Sequence, residues 1–346
     1  MLKKLLGLPL SCLQDVTQEM GLPRFAASQI AGWLYKKKVS SIDQMTNLSL
    51  DARRRLSEVY QVGWTPPCDQ ARSKDGTVKY LFPVSCPVGS GMQESAVEAV
   101  VIPDGDRATL CISSQAGCKM GCKFCMTGRQ HWHGNLDAAQ ILSQIVAIPE
   151  SDALTNVVFM GMGEPLDNYE TLSVVLQCLT SDWGFGWSPK RITVSSIGVI
   201  PNLKRLLDEH HCHIAISLHN PFPGQRLEMM PAEAAYPIND VLDLLRQYDF
   251  TGQRRVSFEY TMFAGFNDDK AHADALCRLL RGLECRVNLI RFHRIPDFPF
   301  GTSSDATMEM FRQRMCNNGV TTTIRASRGE DIFAACGLLA GRHAKQ

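Results

Sequence analysis

The chain has 346 residues, of which 45% are hydrophobic and 21% are charged, and its formal net charge is +1. No apolar run is long enough to cross a bilayer and the N-terminus lacks a signal-peptide cleavage pattern, so we expect a cytoplasmic protein rather than a membrane or secreted one. Thirteen cysteines, an odd number, exclude a fully paired disulfide framework and favour a reducing compartment. The length allows one large α/β domain or a core with a small appendage.

The first 62 residues have helical apolar spacing in three segments, 13–20, 24–37 and 50–60. They hold nine Lys and Arg against five Asp and Glu, whereas the remaining residues have a balance of −3. We therefore expect a helical domain over 1–62 whose charge suits a polyanionic partner, although an ordinary solvated surface can have the same composition. Residues 63–103 are predicted to form a linker and a β extension, in which segments 78–82 and 96–102 flank a turn-rich stretch at 87–91.

From residue 104 to 346, strand-like and helical segments alternate, which predicts a parallel sheet covered by helices, either open or closed into a barrel. The predicted strands are 109–114, 156–160, 191–196, 213–218, 255–262, 286–292 and 321–324, and predicted helices include 136–148, 169–179, 238–248 and 271–281. In such folds the active site lies at the C-terminal ends of the strands.

Three cysteines, Cys118, Cys122 and Cys125, follow the first of these strands in the spacing CxxxCxxC. Three thiolates on one loop can hold three irons of a 4Fe–4S cluster and leave the fourth iron open to S-adenosylmethionine (SAM), whereas an electron-transfer cluster normally has four cysteines. Zinc, or three reduced core cysteines, are the alternatives, but zinc loops usually pair two CxxC motifs and no second pair is present. The spacing resembles the signature of the radical SAM superfamily. That resemblance implies an α/β fold with a partial (βα)6 barrel, here joined to the helical domain and the β extension.

A strand at 156–160 runs into a Gly-x-Gly-Glu-Pro turn that contains Gly163 and Glu164. Glycine lets the backbone approach a ligand and a carboxylate can hold an ammonium, while the missing third glycine excludes a dinucleotide-binding fingerprint. The turn resembles the segment of radical SAM proteins that contacts the amino group of SAM. Polar residues at the next two strand ends favour one shared ligand, and we expect SAM to contact Ser195 and the segment Ser217, Leu218 and His219.

Four separated motifs, at 107–118, 161–165, 216–219 and 328–337, resemble the RlmN/Cfr family of radical SAM RNA methyltransferases over almost the whole chain. The resemblance implies an enzyme that makes 2-methyladenosine in 23S rRNA near the peptidyl-transferase centre and in tRNA just 3′ of the anticodon. It also implies an RNA-binding role for residues 1–62, an electron donor such as flavodoxin or ferredoxin, and a monomer. One departure is His293, which stands where many RlmN members have an asparagine that contacts SAM; an imidazole can still make one hydrogen bond there.

The family route answers a chemical difficulty, because an adenine ring carbon has no nucleophilic lone pair with which to attack the methyl group of SAM. A cysteine thiolate first takes a methyl from one SAM, and a radical made from a second SAM at the cluster then removes hydrogen from that S-methyl group. The carbon radical adds to the ring, a base removes the ring proton, and another cysteine attacks the thioether to release the product with a disulfide. The resemblance assigns the methyl carrier to Cys336, the second cysteine to Cys111 and the base to Glu98.

Without the resemblance, each of these three residues has a structural interpretation. Cys336 is typical of a buried cysteine in a C-terminal helix, Cys111 of a small core residue, and Glu98, which alternates with apolar residues, of a solvent-facing carboxylate. Two other functions stay open. One is a Cfr-like enzyme that methylates C8 and gives antibiotic resistance, and the other is a noncatalytic RNA-binding or ribosome-assembly factor with zinc or a structural cluster.

Overall fold

The first 62 residues form a small, mostly helical unit in the computed structural model, which describes residues 2–252 and 254–341. Its elements are β1 (Lys3–Lys4), α1 (Leu10–Glu19), α2 (Ala26–Ala31), a π-helical turn (Gly32–Lys36), α3 (Leu50–Val59) and β2 (Tyr60–Gln61). The helix predicted over 24–37 is two shorter pieces. The wider π turn begins at Gly32, a weak helix former, whose carbonyl accepts from the Lys37 N–H at 3.0 Å.

Two lysines of this unit hold it against the rest of the chain. Lys4 Nζ lies 2.8 Å from Asp137 Oδ2, and Lys38 Nζ lies 2.6 Å from Asp152 Oδ1. The positive charge counted in the sequence is therefore partly used inside the protein, and it is not all available to a polyanionic partner.

A β extension follows the helical unit and consists of three antiparallel strands, β3 (Asp69–Arg72), β4 (Val78–Val88) and β5 (Gly91–Asp104). Only residues 89–90 turn between β4 and β5, so most of the turn-rich stretch predicted at 87–91 is strand. β4 tolerates Pro83 and Pro87 because β3 covers only residues 78–81 of it. The carbonyl of Leu81 points towards β3 and accepts from the Cys68 N–H at 2.8 Å. Alternate residues of a strand point their backbone groups to the same side, so Pro83 and Pro87 also point to the β3 side, beyond the end of β3, where no strand needs an N–H donor.

The remaining strands form the core, which contains all seven predicted strands and three additional short ones, β7, β8 and β14. In chain order the ten strands are β6 (Arg107–Cys111), β7 (Gln115–Ala116), β8 (Gly134–Asn135), β9 (Asn156–Phe159), β10 (Ile192–Ser196), β11 (His213–Ser217), β12 (Val256–Ala264), β13 (Cys285–Arg291), β14 (Gly301–Thr302) and β15 (Thr321–Ile324). Apart from β7, β8 and β14, they run parallel and lie side by side in sequence order, and β6 also pairs with β5. Within the described residues β3 and β15 are the edges of this sheet, so the barrel is open.

Helices connect these strands, since parallel neighbours require a crossover. They are α4 (Ala138–Val146), α5 (Tyr169–Thr180), α6 (Ile200–Glu209), α7 (Pro223–Met229), α8 (Ile238–Leu245), α9 (Lys270–Leu279) and α10 (Asp305–Asn317), with short 3-10 turns at Ile42–Gln44, Pro149–Asp152, Pro165–Asn168, Pro189–Arg191, Pro231–Ala234 and Glu330–Ile332. In the described part of the chain, none of the helices combines the length and the apolar character needed to cross a bilayer.

Candidate active site

A cavity lies at the C-terminal ends of the parallel strands, where the site was predicted. We call it the cluster cavity. Strands β9 to β12 contribute residues from their C-terminal ends, and the loop between β7 and β8 contributes the cysteines. The lining includes most of the predicted cluster and SAM residues together with the predicted methyl carrier, namely Cys118, Cys122, Cys125, Gly163, Glu164, Ser195, Ser217, His219 and Cys336.

The three cysteines share one loop whose ends are joined by the pairing of β7 with β8. Burial raises the pKa of Cys118 to about 12. Burial, followed by the charges of Cys125 and Cys118, raises the pKa of Cys122 well above its ordinary value. Three buried thiolates repel one another and require a cationic partner, which the irons of a cluster would supply.

A single zinc ion fits this loop less well than a cluster does. A structural zinc ion normally has four protein ligands, whereas this loop supplies three cysteines. One tetrahedral ion draws its sulfur ligands together, whereas each cysteine of a cluster binds a different iron and the sulfurs stay further apart. The donor set therefore fits a 4Fe–4S cluster with three cysteine ligands.

The Gly-x-Gly-Glu-Pro turn is fixed between β7 and the end of β10. Gly163 has a φ of +95°, and a Cβ at this position would lie 2.5 Å from Gln115 Cβ, so the position requires glycine. Glu164 is 3% exposed, and its carboxylate accepts from the N–H groups of Leu166 at 3.1 Å and Ile197 at 3.0 Å. Burial raises the pKa of Glu164 to about 7, although these N–H groups act in the opposite direction. Glu164 therefore organises the strand ends as well as lining the cavity.

His219 follows β11 in the left-handed backbone region, with a φ of +54°. Its Nδ1 accepts from the Thr261 N–H at 3.0 Å, so Nε2 carries the proton of the neutral ring. Burial, and then the charge of Arg226, lowers the pKa of His219 to about 3, so the ring is neutral at physiological pH. Leu218 lies in the core with its side chain fully buried and does not line the cavity. The contact of the Leu218 position with SAM stays a prediction, and its buried side chain leaves only the backbone to make it.

Arg226, which the sequence motifs did not indicate, holds two of these strand ends together. Its side chain has no exposed surface and forms an ion pair with Glu233. The guanidinium also donates to the carbonyls of Leu218 at 3.0 Å, Ser217 at 2.9 Å and Ile197 at 3.3 Å. A lone arginine in an amphipathic helix is usually exposed, so its burial could not be predicted from the sequence.

A second cavity lies on the other side of Cys336, which lines both cavities. Cys336 stands in a turn rather than in the helix considered from the sequence, because Gly329 and Gly337 have positive φ values that interrupt helical geometry. The segment that carries Cys336 is anchored to the cysteine loop, since the Met126 N–H donates to the Gly337 carbonyl at 2.8 Å and Thr127 Oγ1 donates to the carbonyl of residue 339 at 2.7 Å.

Cys111 and Cys336 both line the second cavity, and the disulfide that the resemblance implies for them stays a prediction. Burial, and then the charge of Cys336, raises the pKa of Cys111 to about 12. Burial also raises the pKa of Cys336, while the guanidinium of Arg325 lowers it. Arg325 lines both cavities and lies 3.8 Å from Glu259. Sequence reasoning missed Arg325, although its place directly after β15 matches the polar strand ends elsewhere.

His293 lines the second cavity rather than the cluster cavity. Its Nε2 lies 3.1 Å from Ser327 Oγ and its Nδ1 lies 3.3 Å from Glu330 Oε1. Both ring nitrogens therefore face the C-terminal segment, and the contact between His293 and SAM stays a prediction.

Glu98 is buried, although the alternation of polar and apolar residues along its strand predicted that it faces solvent. It is 1% exposed, its Oε1 lies 2.8 Å from Lys79 Nζ, and its Oε2 accepts from the N–H groups of Ala340 at 2.6 Å and Gly341 at 3.0 Å. The C-terminal segment covers the face of β5 that the sequence pattern assigned to water. In this conformation Glu98 lines neither of the two cavities described above.

Known proteins match this chain over nearly its full length. Residues 3–62 match the family model of the ribosomal RNA large subunit methyltransferase N-terminal domain, and residues 112–276 match that of the radical SAM superfamily. A probable dual-specificity RNA methyltransferase RlmN of Bacteroides fragilis is 58% identical over 97% of this chain and 95% of its own length. The chain belongs to the RlmN family of radical SAM RNA methyltransferases.

Other RlmN relatives agree with this assignment. The dual-specificity RNA methyltransferase RlmN of Syntrophus aciditrophicus is 40% identical over 95% of this chain and 94% of its own length. The crystal structure of a radical SAM methyltransferase from Sphaerobacter thermophilus superposes with a TM-score of 0.90 at 37% identity, covering 98% of this chain and all of that one. These matches confirm the predicted membership of the RlmN/Cfr family and the predicted radical SAM fold. They also confirm the predicted RNA methyltransferase activity and the use of a 4Fe–4S cluster and SAM as cofactors.

Proposed function

We propose that this RlmN family member methylates C2 of one adenosine in 23S rRNA, near the peptidyl-transferase centre, and of one adenosine in tRNA 3′ of the anticodon. The observation that carries the proposal is the position of Cys336 between the cluster cavity and the cavity that contains Cys111. A methyl carrier must reach SAM on one side and RNA with a resolving thiol on the other, and this position serves both. The relatives named dual-specificity RNA methyltransferases support two RNA substrates.

In the cluster cavity, Cys118, Cys122 and Cys125 would hold the cluster, and the Gly163–Glu164 turn with the strand ends at 195 and 217–219 would hold SAM. When bound, the cluster supplies the electron that cleaves SAM to a 5′-deoxyadenosyl radical. Neutral His219 has a fixed tautomer with a free Nε2–H, so it can donate but cannot repel the sulfonium of SAM.

At the boundary between the cavities, Cys336 would act as the methyl carrier. The thiolate would attack the methyl carbon of one SAM, so that a carbon–sulfur bond forms and S-adenosylhomocysteine leaves. The 5′-deoxyadenosyl radical made from the second SAM would take a hydrogen atom from this S-methyl group, and the resulting carbon radical would add to the ring carbon. The unpaired electron that addition leaves on the ring would return to the oxidised cluster, and a thioether then joins the protein to the RNA. The Cys111 thiolate then attacks Cys336 Sγ, so that a sulfur–sulfur bond forms and the bond from sulfur to the RNA methylene breaks. The electron pair of that bond remains on the methylene carbon, which takes up a proton to become the methyl group.

Glu98 would accept the ring proton, and its present contacts impose a condition on that role. Its Oε2 is occupied by the two N–H groups of residues 340–341. The C-terminal segment must therefore move away from Glu98 before the RNA ring can approach it.

The helical unit at 1–62 would contact RNA phosphates through its exposed cations. Arg24, Lys36, Lys37 and Arg54 are exposed, whereas Lys38 is paired with the core. Replacing Lys36 and Lys37 together by serine should weaken RNA binding and reduce the slope of log affinity against log salt concentration by about 1–2. An unchanged slope in a filter-binding titration would contradict this contact.

The proposal also includes a monomeric enzyme that works in a reducing cytoplasm and receives electrons from flavodoxin or ferredoxin. The thirteen unpaired cysteines suit a reducing compartment.

The product identifies the function. Anaerobically reconstituted enzyme would be incubated with unmethylated tRNA and with a 23S rRNA fragment, and the nucleosides would be separated by liquid chromatography and mass spectrometry. We expect 2-methyladenosine from both RNAs, and no product from the Cys336→Ala variant with its cluster intact. Formation of 8-methyladenosine would instead indicate a Cfr-like enzyme, and the absence of any methylated nucleoside would favour a noncatalytic RNA-binding factor.

A further inference from the structure

A buried ion pair lies beside the segment that carries Cys336. Lys79 Nζ lies 2.8 Å from Glu98 Oε1, and only 7% and 2% of the two side chains are exposed. Lys79 also donates to the carbonyl of Phe333 at 3.4 Å, three residues before Cys336. The other carboxylate oxygen of Glu98 accepts from the N–H groups of residues 340–341. One carboxylate thus joins the β extension to the C-terminal segment that must move in the proposed mechanism.

We propose that Lys79 is a positioning residue for Glu98, which holds the carboxylate in place and supplies its counter-charge while the C-terminal segment moves away and the ring proton is removed. This inference rests on the proposed function of Glu98 as the base. In the step concerned, the ring has already given up the unpaired electron left by radical addition, which would return to the oxidised cluster. The C–H bond at the ring carbon then breaks, the proton passes to Glu98, and the bonding electron pair stays in the ring and restores its aromaticity.

The need for Lys79 follows from what Glu98 loses when the segment moves. The carboxylate then gives up both N–H donors while its side chain remains within the protein. A buried carboxylate without donors or a counter-charge is more stable in its protonated form, and a protonated carboxyl group cannot accept the ring proton. Lys79 is the cation that remains, because it stands on β4, a strand paired with β5 along its whole length.

The register of the two strands supports a lasting contact. Leu81 of β4 lies opposite Glu98 of β5, so Lys79 is the diagonal neighbour of Glu98 on the same face of the sheet. The contact with Phe333 is longer and belongs to the segment that must move. Lys79 can therefore keep its ion pair with Glu98 when its hydrogen bond to the segment that carries Cys336 breaks.

The test separates the steps of one turnover in the reconstituted holoenzyme. The variants are Lys79→Met, Lys79→Arg, Glu98→Gln and the double variant of Lys79→Met with Glu98→Gln. Peptide mass spectrometry would measure the methyl group on Cys336, denaturing gels would measure the covalent protein–RNA adduct, and quenched single-turnover reactions would measure product release. A carrier that is methylated and joined to RNA shows that every step before proton removal is intact.

We expect Lys79→Met to methylate Cys336 and to form the adduct, but to release product about 100-fold more slowly, so that the adduct accumulates. Lys79→Arg, which keeps the charge, should recover most of the rate. The double variant should be no slower than Glu98→Gln alone, because Lys79 acts through Glu98. The matched control Lys204→Met removes an exposed lysine paired with Asp208 and should change none of these measurements.

The results distinguish an error in the proposed role of Glu98 from an error in the proposed role of Lys79. If Glu98→Gln accumulates no adduct, the proposed role of Glu98 as the base is wrong. If Glu98→Gln accumulates adduct but Lys79→Met does not, or if the double variant is about tenfold slower than Glu98→Gln, the positioning role of Lys79 is wrong while the proposed function stands. Should Lys79→Met fail to fold, the double variant, which leaves no unpaired buried charge, and Lys79→Arg decide the question.

Discussion

Replacing Arg226 by methionine should destabilise the protein strongly while leaving every predicted catalytic residue unchanged. The side chain is completely buried, pairs with Glu233 and donates to three backbone carbonyls at the ends of β10 and β11. Removing one partner of a buried ion pair costs about 3–5 kcal/mol, because the other charge remains buried without compensation. The loss of hydrogen bonds to the carbonyls adds about 1 kcal/mol, so we expect a total of about 4–6 kcal/mol.

The double variant of Arg226→Met with Glu233→Gln tests the origin of that loss. The amide that replaces the Glu233 carboxylate would be neutral and could still accept from the Ile238 N–H, which now donates to Glu233 at 3.1 Å. We therefore expect the double variant to recover about half of the lost stability. Strand ends released from Arg226 should also bind SAM about tenfold more weakly.

Anaerobic urea denaturation would measure the free energy of unfolding, and equilibrium dialysis would measure SAM affinity. The control is Arg54→Met, which removes an exposed arginine that pairs with Asp51 on the surface and should leave both measurements nearly unchanged. A loss below about 1 kcal/mol for Arg226→Met, or a double variant less stable than the single one, would refute the reasoning.

Three further predictions concern the site itself. Cys122→Ala should lose both the absorbance of the cluster near roughly 400 nm and reductive cleavage of SAM, and full iron content in this variant would contradict the ligand assignment. Glu164→Ala should retain iron but bind SAM more weakly, as dialysis would show, because the turn loses its two bonds to neighbouring backbone; unchanged affinity would argue against this position for SAM. Cys336→Ala should never join to RNA, whereas Cys111→Ala should accumulate the adduct, and normal product release by Cys111→Ala would overturn its resolving role.

The parts of the site that could be predicted are those encoded by short motifs. The CxxxCxxC loop and the Gly-x-Gly-Glu-Pro turn each carry their chemistry within a few residues, and alternating strands and helices placed both at one edge of the sheet. Gly163 illustrates why this works, since its φ and its contact with Gln115 allow only glycine.

The parts that could not be predicted depend on contacts between distant segments. The exposure of Glu98 was misjudged because the period of a strand shows which residues share a face but not what covers that face. Burial of Lys79 and Arg226 likewise has no local pattern, as each is paired only after the chain has folded. The contacts of His293 with Ser327 and Glu330 also join segments that are distant in sequence, and no local motif indicates them.

The bonds between the cysteine loop and the segment of Cys336 link maturation of the enzyme to its reactivity. The loop donates to the segment through the Met126 N–H and Thr127 Oγ1, one and two residues after Cys125. Iron bound by the three predicted ligands would organise this loop, because thiolates that repel one another would acquire a common partner. A newly made chain without its cluster would thus hold its methyl acceptor loosely. A chain that lacks its cluster would then transfer little methyl from SAM to Cys336, and would start to use SAM only after the cluster has been assembled.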